Sequence, residues 1–183
     1  MSTSESNLSQ HPFPMIRSGG LFVLLVGLGI VAGAILGENH LLVPLIVGAC
    51  LALIAQSVFR GRLVRPLGTP TRVQIAALVS AIVLEIILTG VVAYAFHFRQ
   101  SRSFWLWILL VVGSHFLIIA VAQGRRLLLL GVLCIVNALA GLWMPNVPLL
   151  TFWLIDGLLK IIFGAWMLST RPLLPQRSHS VPS

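Results

Sequence analysis

Two residues of opposite charge, Asp156 and Lys160, lie four positions apart near the middle of a long apolar segment. The segment covers 147–168, which is long enough to cross a bilayer as a helix. Residues at positions i and i+4 share one face of a helix, so the two side chains can form an ion pair. A charge at the centre of a bilayer is costly, and an ionisable pair at that depth is a candidate functional site.

Three more polar residues lie at a similar depth in other apolar segments: Glu85, His115 and Asn137. In a bundle of membrane helices such side chains turn towards the interior and meet. His115 can exchange protons or pair with Glu85, and Asn137 can both donate and accept hydrogen bonds. We therefore predict a polar site at the membrane midplane formed by Glu85, His115, Asn137, Asp156 and Lys160.

The elements that must position these side chains are six apolar stretches of membrane-spanning length. The chain is 58% hydrophobic and only 9% charged, a composition typical of integral membrane proteins. Because backbone polar groups in lipid must be satisfied internally, we predict an all-α bundle of six transmembrane helices. This transmembrane domain covers 19–168, between Ser/Pro-rich tails at 1–18 and 169–183 that we expect to be disordered. The predicted spans are 19–36, 41–59, 74–96, 104–122, 127–144 and 147–168.

The arginines are distributed unequally between the two sides of the predicted membrane spans. The net charge of +8 could suggest nucleic acid, but the arginines lie in short loops and tails and form no separate basic domain, so we expect no nucleic-acid partner. Nine of the eleven arginines fall on one side of the six spans, and only Arg99 and Arg102 fall on the other. The positive-inside rule then places both termini in the cytoplasm of a cell (inner) membrane protein. We expect the cytoplasmic arginines to contact anionic lipid headgroups. The nine are Arg17, Arg60, Arg62, Arg65, Arg72, Arg125, Arg126, Arg171 and Arg177.

The first span leaves one alternative open, because its Ala-Gly-Ala at 32–34 resembles the cleavage site of a signal peptide. Cleavage there would leave five spans and an external N-terminus. Against it, the polar region before the span is long and contains Glu5, and the apolar run continues beyond the site.

Small residues mark faces on which helices can approach closely. Gly29, Gly33 and Gly37 follow one another at intervals of four in the first span, and Gly157 and Gly164 lie seven apart in the last. Such faces serve either packing within the bundle or a homo-oligomer, and both remain open.

Two functions from different classes fit these features. The first is a small proton-coupled transporter or channel of unknown substrate, because proton relays in membranes are built from buried acids and histidines. The second is a non-transporting scaffold or assembly partner whose buried polar residues fix helix packing. We do not expect an enzyme, since the sequence offers no catalytic constellation, no cofactor motif and no metal-ligand spacing.

Several short motifs in the second half carry a resemblance: GSHF at 113–116, CIVNALAG at 134–141, PNVP at 145–148, and DGLLK at 156–160 followed by FG at 163–164. With these motifs the chain resembles an uncharacterised family of small bacterial six-span membrane proteins, known only as a domain of unknown function. The resemblance implies no activity. It implies that His115, Asn137, Asp156 and Lys160 belong to a shared pattern.

Overall fold

The structure, a computed structural model, describes residues 11–64, 67–97, 99 and 101–171. In this part of the chain all regular structure is helical, which confirms the all-α prediction. Six helices are long and apolar enough to cross a membrane, so their surfaces indicate a lipid environment. They are α1 (Ile16–Leu36), α2 (Leu42–Leu63), α3 (Arg72–Ala95), α4 (Arg102–Gln123), α5 (Arg125–Trp143) and α6 (Leu149–Leu168), and a 3-10 turn (Glu38–His40) joins α1 to α2.

The observed helices extend beyond several predicted spans because the arginine-bearing flanks continue the helical hydrogen bonding. Helix α1 begins at Ile16, inside the predicted 1–18 tail, and α2 continues to Leu63. Just before α1, the ring of Phe13 packs over Gly124, between α4 and α5. The predicted disorder of residues 1–10 and 172–183 lies outside the described residues.

Consecutive helices run antiparallel, so both described ends lie on one side of the bundle. We call this the terminal side and the opposite one the far side. Helix α1 lies between α2 and α6, and the packing continues from α6 through α5 and α4 to α3. Over the described residues, α2 and α3 have no extended contact with one another. Both present many exposed apolar side chains, as expected for the two helices at the ends of this arrangement.

Helices α1 and α6 pack closely because each contributes glycines to their contact. Gly20 and Gly27 of α1 face Gly164 and Gly157 of α6. A Cβ added to Gly27 would lie 2.8 Å from the carbonyl oxygen of Gly157, and one added to Gly164 would lie 2.7 Å from that of Gly20. The predicted pair Gly157 and Gly164 therefore serves packing within the bundle in this structure.

The predicted stripe of Gly29, Gly33 and Gly37 has a different neighbour. Gly29 lies against Gly48 of α2, and Gly33 lies against the backbone of Leu41. Gly37 ends α1 with a φ of 98°, a conformation that favours glycine. These glycines hold the start of α2 close to the end of α1.

Two arginines cap the ends of neighbouring helices. Arg102, the first residue of α4, donates hydrogen bonds to the carbonyl oxygens of Gly141 in the last turn of α5 and of Met144 and Val147 in the loop that follows. Arg126 donates in the same way to the carbonyl oxygen of Trp166 in α6. Since the last carbonyls of a helix lack intrahelical partners, these contacts satisfy groups that lipid could not.

Candidate functional site

Asp156 and Lys160 form an ion pair on α6, as their spacing predicts. Both side chains are 0% exposed, and Lys160 Nζ donates to Asp156 Oδ2. Lys160 Nζ also lies 3.8 Å from Cys134 Sγ of α5. Helix α1 covers the pair closely, since a Cβ on Gly27 would come within 2.9 Å of the Lys160 Cβ. The pair is therefore buried, and its two formal charges cancel.

Glu85 and His115 form the second polar pair, between α3 and α4. The His115 Nδ1 atom lies 3.6 Å from Glu85 Oε2, slightly too far for a direct hydrogen bond. The His115 side chain is 7% exposed, whereas that of Glu85 is 31% exposed. Among the described residues the buried His115 Nδ1 has no hydrogen-bond partner. A water molecule or a ligand atom can bridge such a gap.

The Phe116 ring lies beside one member of each pair. Its ring centroid lies 4.4 Å from that of His115 and 5.6 Å from Lys160 Nζ. The four ionisable residues thus form two pairs, Asp156–Lys160 and Glu85–His115, and each pair has one member beside this ring. Sequence reasoning did not assign Phe116 a role, although it lies next to His115 in the GSHF motif.

Asn137 bonds to a backbone group rather than to either pair. Its Nδ2 atom donates to the carbonyl oxygen of Phe152 at 2.8 Å, which joins α5 to α6. It does not line either of the cavities described next. This hydrogen bond gives Asn137 a packing contact between two helices.

Two cavities adjoin at the depth of the Glu85–His115 pair. The larger, of about 280 Å³, extends towards the terminal side, and the smaller, of about 240 Å³, extends towards the far side. Ser18 and Gln56 line only the larger cavity, and Thr89, Trp153 and Lys160 line only the smaller. Both cavities are lined by Phe22, Val23, Glu85, His115 and Phe116.

The arrangement can exchange protons and hold a polar group inside an otherwise apolar space. Glu85 and His115 are the titratable side chains that line both cavities. In the described part of the chain, no three His, Cys, Asp or Glu side chains come together as metal ligands. The groups that line both cavities and can act on a ligand are therefore the Glu85 carboxyl group, the His115 imidazole and the aromatic rings.

Residues 6–176 match the model of a family described as "Family of unknown function (DUF6609)". The chain belongs to this family. The match confirms the expected membership in a family of unknown function. It also covers the first half of the chain, whereas the motifs that carry the resemblance all lie in the second half. Comparisons with curated proteins and with solved structures found no match.

Proposed function

We propose that this protein is a small proton-coupled transporter whose substrate occupies the two adjoining cavities. The observation that carries the proposal is the Glu85–His115 pair, which lies where the cavities meet. A carboxylate in an apolar space is costly unless a proton or a cation accompanies it. A substrate that neutralises the Glu85 carboxylate and a proton that binds to it then compete for the same negative charge. This competition couples substrate binding to proton release.

The groups around the pair are consistent with this coupling. Helix α6 contributes Lys160, whose charge is compensated by Asp156. Helices α1 and α2 contribute Ser18 and Gln56 as polar but uncharged lining residues. Proton exchange therefore falls to Glu85 and His115.

The second candidate is a scaffold or assembly partner. It is favoured by the buried Asp156–Lys160 pair and by the Asn137 hydrogen bond, since polar contacts of this kind hold membrane helices together. In that case the polar residues fix helix packing and the cavities remain without a ligand.

We place the protein in the cell (inner) membrane with both termini in the cytoplasm and no catalytic or nucleic-acid-binding role. Its terminal-side arginines would contact anionic lipids. Arg65 and Arg177 lie outside the described residues, as does the side chain of Arg60. The exposed faces of α2 and α3 would meet lipid or a second copy of the chain.

Access of water to the cavities tests transport without knowledge of the substrate. Single cysteines are introduced as Ser18→Cys and Thr89→Cys, one in each cavity, with Cys50→Ala and Cys134→Ser in the background. A neutral, membrane-impermeant thiol reagent is then applied from each side of the proteoliposome membrane, outside the vesicles and trapped inside them. We expect both variants to react, because such reagents modify cysteines that water reaches.

Two matched controls define the outcome. Ser80→Cys, on the exposed surface of α3 and outside both cavities, should face lipid and stay unmodified, and Asn146→Cys in the α5–α6 loop should react. If Asn146→Cys reacts while Ser18→Cys and Thr89→Cys do not, in folded protein, the cavities are dry. That result would contradict transport and favour the scaffold.

A further inference from the structure

We propose that the substrate is a small hydrophobic organic cation, such as a quaternary ammonium compound. It would hold its charge beside Glu85 and its apolar groups against the aromatic rings of the cavities. This inference rests on the proposed transport function and names the chemical class of its substrate.

The charges that line the cavities favour a cation. Glu85 and Lys160 carry formal charges there, and the charge of Lys160 is compensated by Asp156. Among the described residues, His115 is the titratable group within 4 Å of the Glu85 carboxylate, and their 3.6 Å separation leaves that carboxylate without a direct hydrogen bond from the imidazole. An anionic substrate would face the negative charge of Glu85 in a space of low dielectric constant, where repulsion is strong.

The aromatic residues that line the cavities favour an organic cation over a metal ion. Phe22 and Phe116 line both cavities, and Trp153 lines the smaller one. Aromatic faces bind quaternary ammonium groups through cation–π contacts, and a carboxylate in the same cavity supplies the opposite charge. A metal cation would need several oxygen ligands, whereas among the described lining residues Glu85 supplies the only carboxylate.

The size of the cavities sets an upper limit on the substrate. Each is close to the lower end of the volumes that hold small molecules, roughly 300 Å³. Benzyltrimethylammonium, with one ring and one permanent charge, is a suitable probe. Phenylmethanesulfonate, which is similar in size but anionic, is its charge-reversed control.

The test measures whether the probe protects the Thr89→Cys variant from the neutral thiol reagent. At a concentration about ten times its Kd, benzyltrimethylammonium should slow modification about tenfold by mass action, and phenylmethanesulfonate should not slow it. Adding Glu85→Gln should weaken protection at least about tenfold, because the compensating charge is lost. Glu38→Gln, the same change in the exposed 3-10 turn, should leave protection unchanged.

A second measurement decides the proposal even where a variant folds poorly or the cysteine does not react. Binding of radiolabelled benzyltrimethylammonium to the protein in lipid nanodiscs should be saturable, and Phe22→Leu should weaken it about threefold or more. Absence of saturable binding, equal binding of the anion, or equal binding by folded Glu85→Gln protein would overturn the inference. If the probe fails while Thr89→Cys still reacts, the substrate class is wrong and transport stands. If Thr89→Cys and Ser18→Cys do not react, transport itself is contradicted.

Discussion

Replacing Asp156 by Asn removes one charge of the buried ion pair and leaves the other almost unchanged in position. Lys160 is 0% exposed and would retain the Cys134 sulfur at 3.8 Å, the Phe116 ring at 5.6 Å and the amide oxygen of the new asparagine. All three are weaker partners than a carboxylate. Removal of one partner of a buried pair costs about 3–5 kcal/mol, because the remaining charge is uncompensated.

The double replacement Asp156→Leu with Lys160→Met separates the burial of a charge from the loss of the pair. Methionine has nearly the length of lysine and fills the same space without charge. Replacement of a whole buried pair by apolar residues is often neutral, or stabilising by about 1–4 kcal/mol. We therefore expect the double variant to be at least about 3 kcal/mol more stable than Asp156→Asn alone.

Thermal unfolding of the purified protein in one detergent checks this expectation. For a chain of this length the single variant should unfold on the order of 10 °C below the parent, and the double variant close to the parent. Glu38→Gln, an exposed control with the same kind of change, should unfold with the parent. Equal unfolding temperatures for the single and double variants would refute the reasoning. If the stable double variant still binds benzyltrimethylammonium, the pair serves structure rather than the substrate.

Two other features of the bundle lead to paired variants, each measured by the same unfolding assay. Gly27→Ala should destabilise the protein by about 1–3 kcal/mol, because its Cβ would meet the backbone of α6. Its control, Gly90→Ala, has nothing within 4 Å of the added Cβ and should be neutral or slightly stabilising. Equal effects of the two changes would contradict the close α1–α6 contact. Arg102→Gln should lower the free energy of unfolding by about 1–3 kcal/mol, because the carbonyls at and just after the end of α5 lose their donor. Its control, Arg99→Gln on the same side, should change stability little. An Arg102→Gln variant as stable as the parent would contradict the capping role.

Much of the candidate site could be predicted because depth along a helix follows from residue number. Glu85 and His115 lie at the midpoints of their spans, and in antiparallel neighbours those midpoints meet. Asp156 and Lys160 pair because a spacing of four is a local property of any helix. Neither inference requires knowledge of how the six helices are arranged.

The direction of each side chain could not be predicted in the same way. Helices that are apolar on every side carry little information about which face turns inward, since lipid and protein interior are similarly apolar. Asn137 therefore shares the depth of the other polar residues but bonds to the Phe152 carbonyl. The glycines that bring α1 against α6, Gly20 and Gly27, were likewise not singled out.

The sequence by itself determined that this is a membrane protein of six helices, because the length and apolar character of each span follow from composition alone. It also indicated the depth along each helix of Glu85, His115, Asn137, Asp156 and Lys160. Only the tertiary structure decided that these groups form two pairs beside Phe116, one fully buried and one partly exposed where the two cavities meet. The physical reason is that depth is set along one helix, whereas burial depends on the rotation and packing of its neighbours.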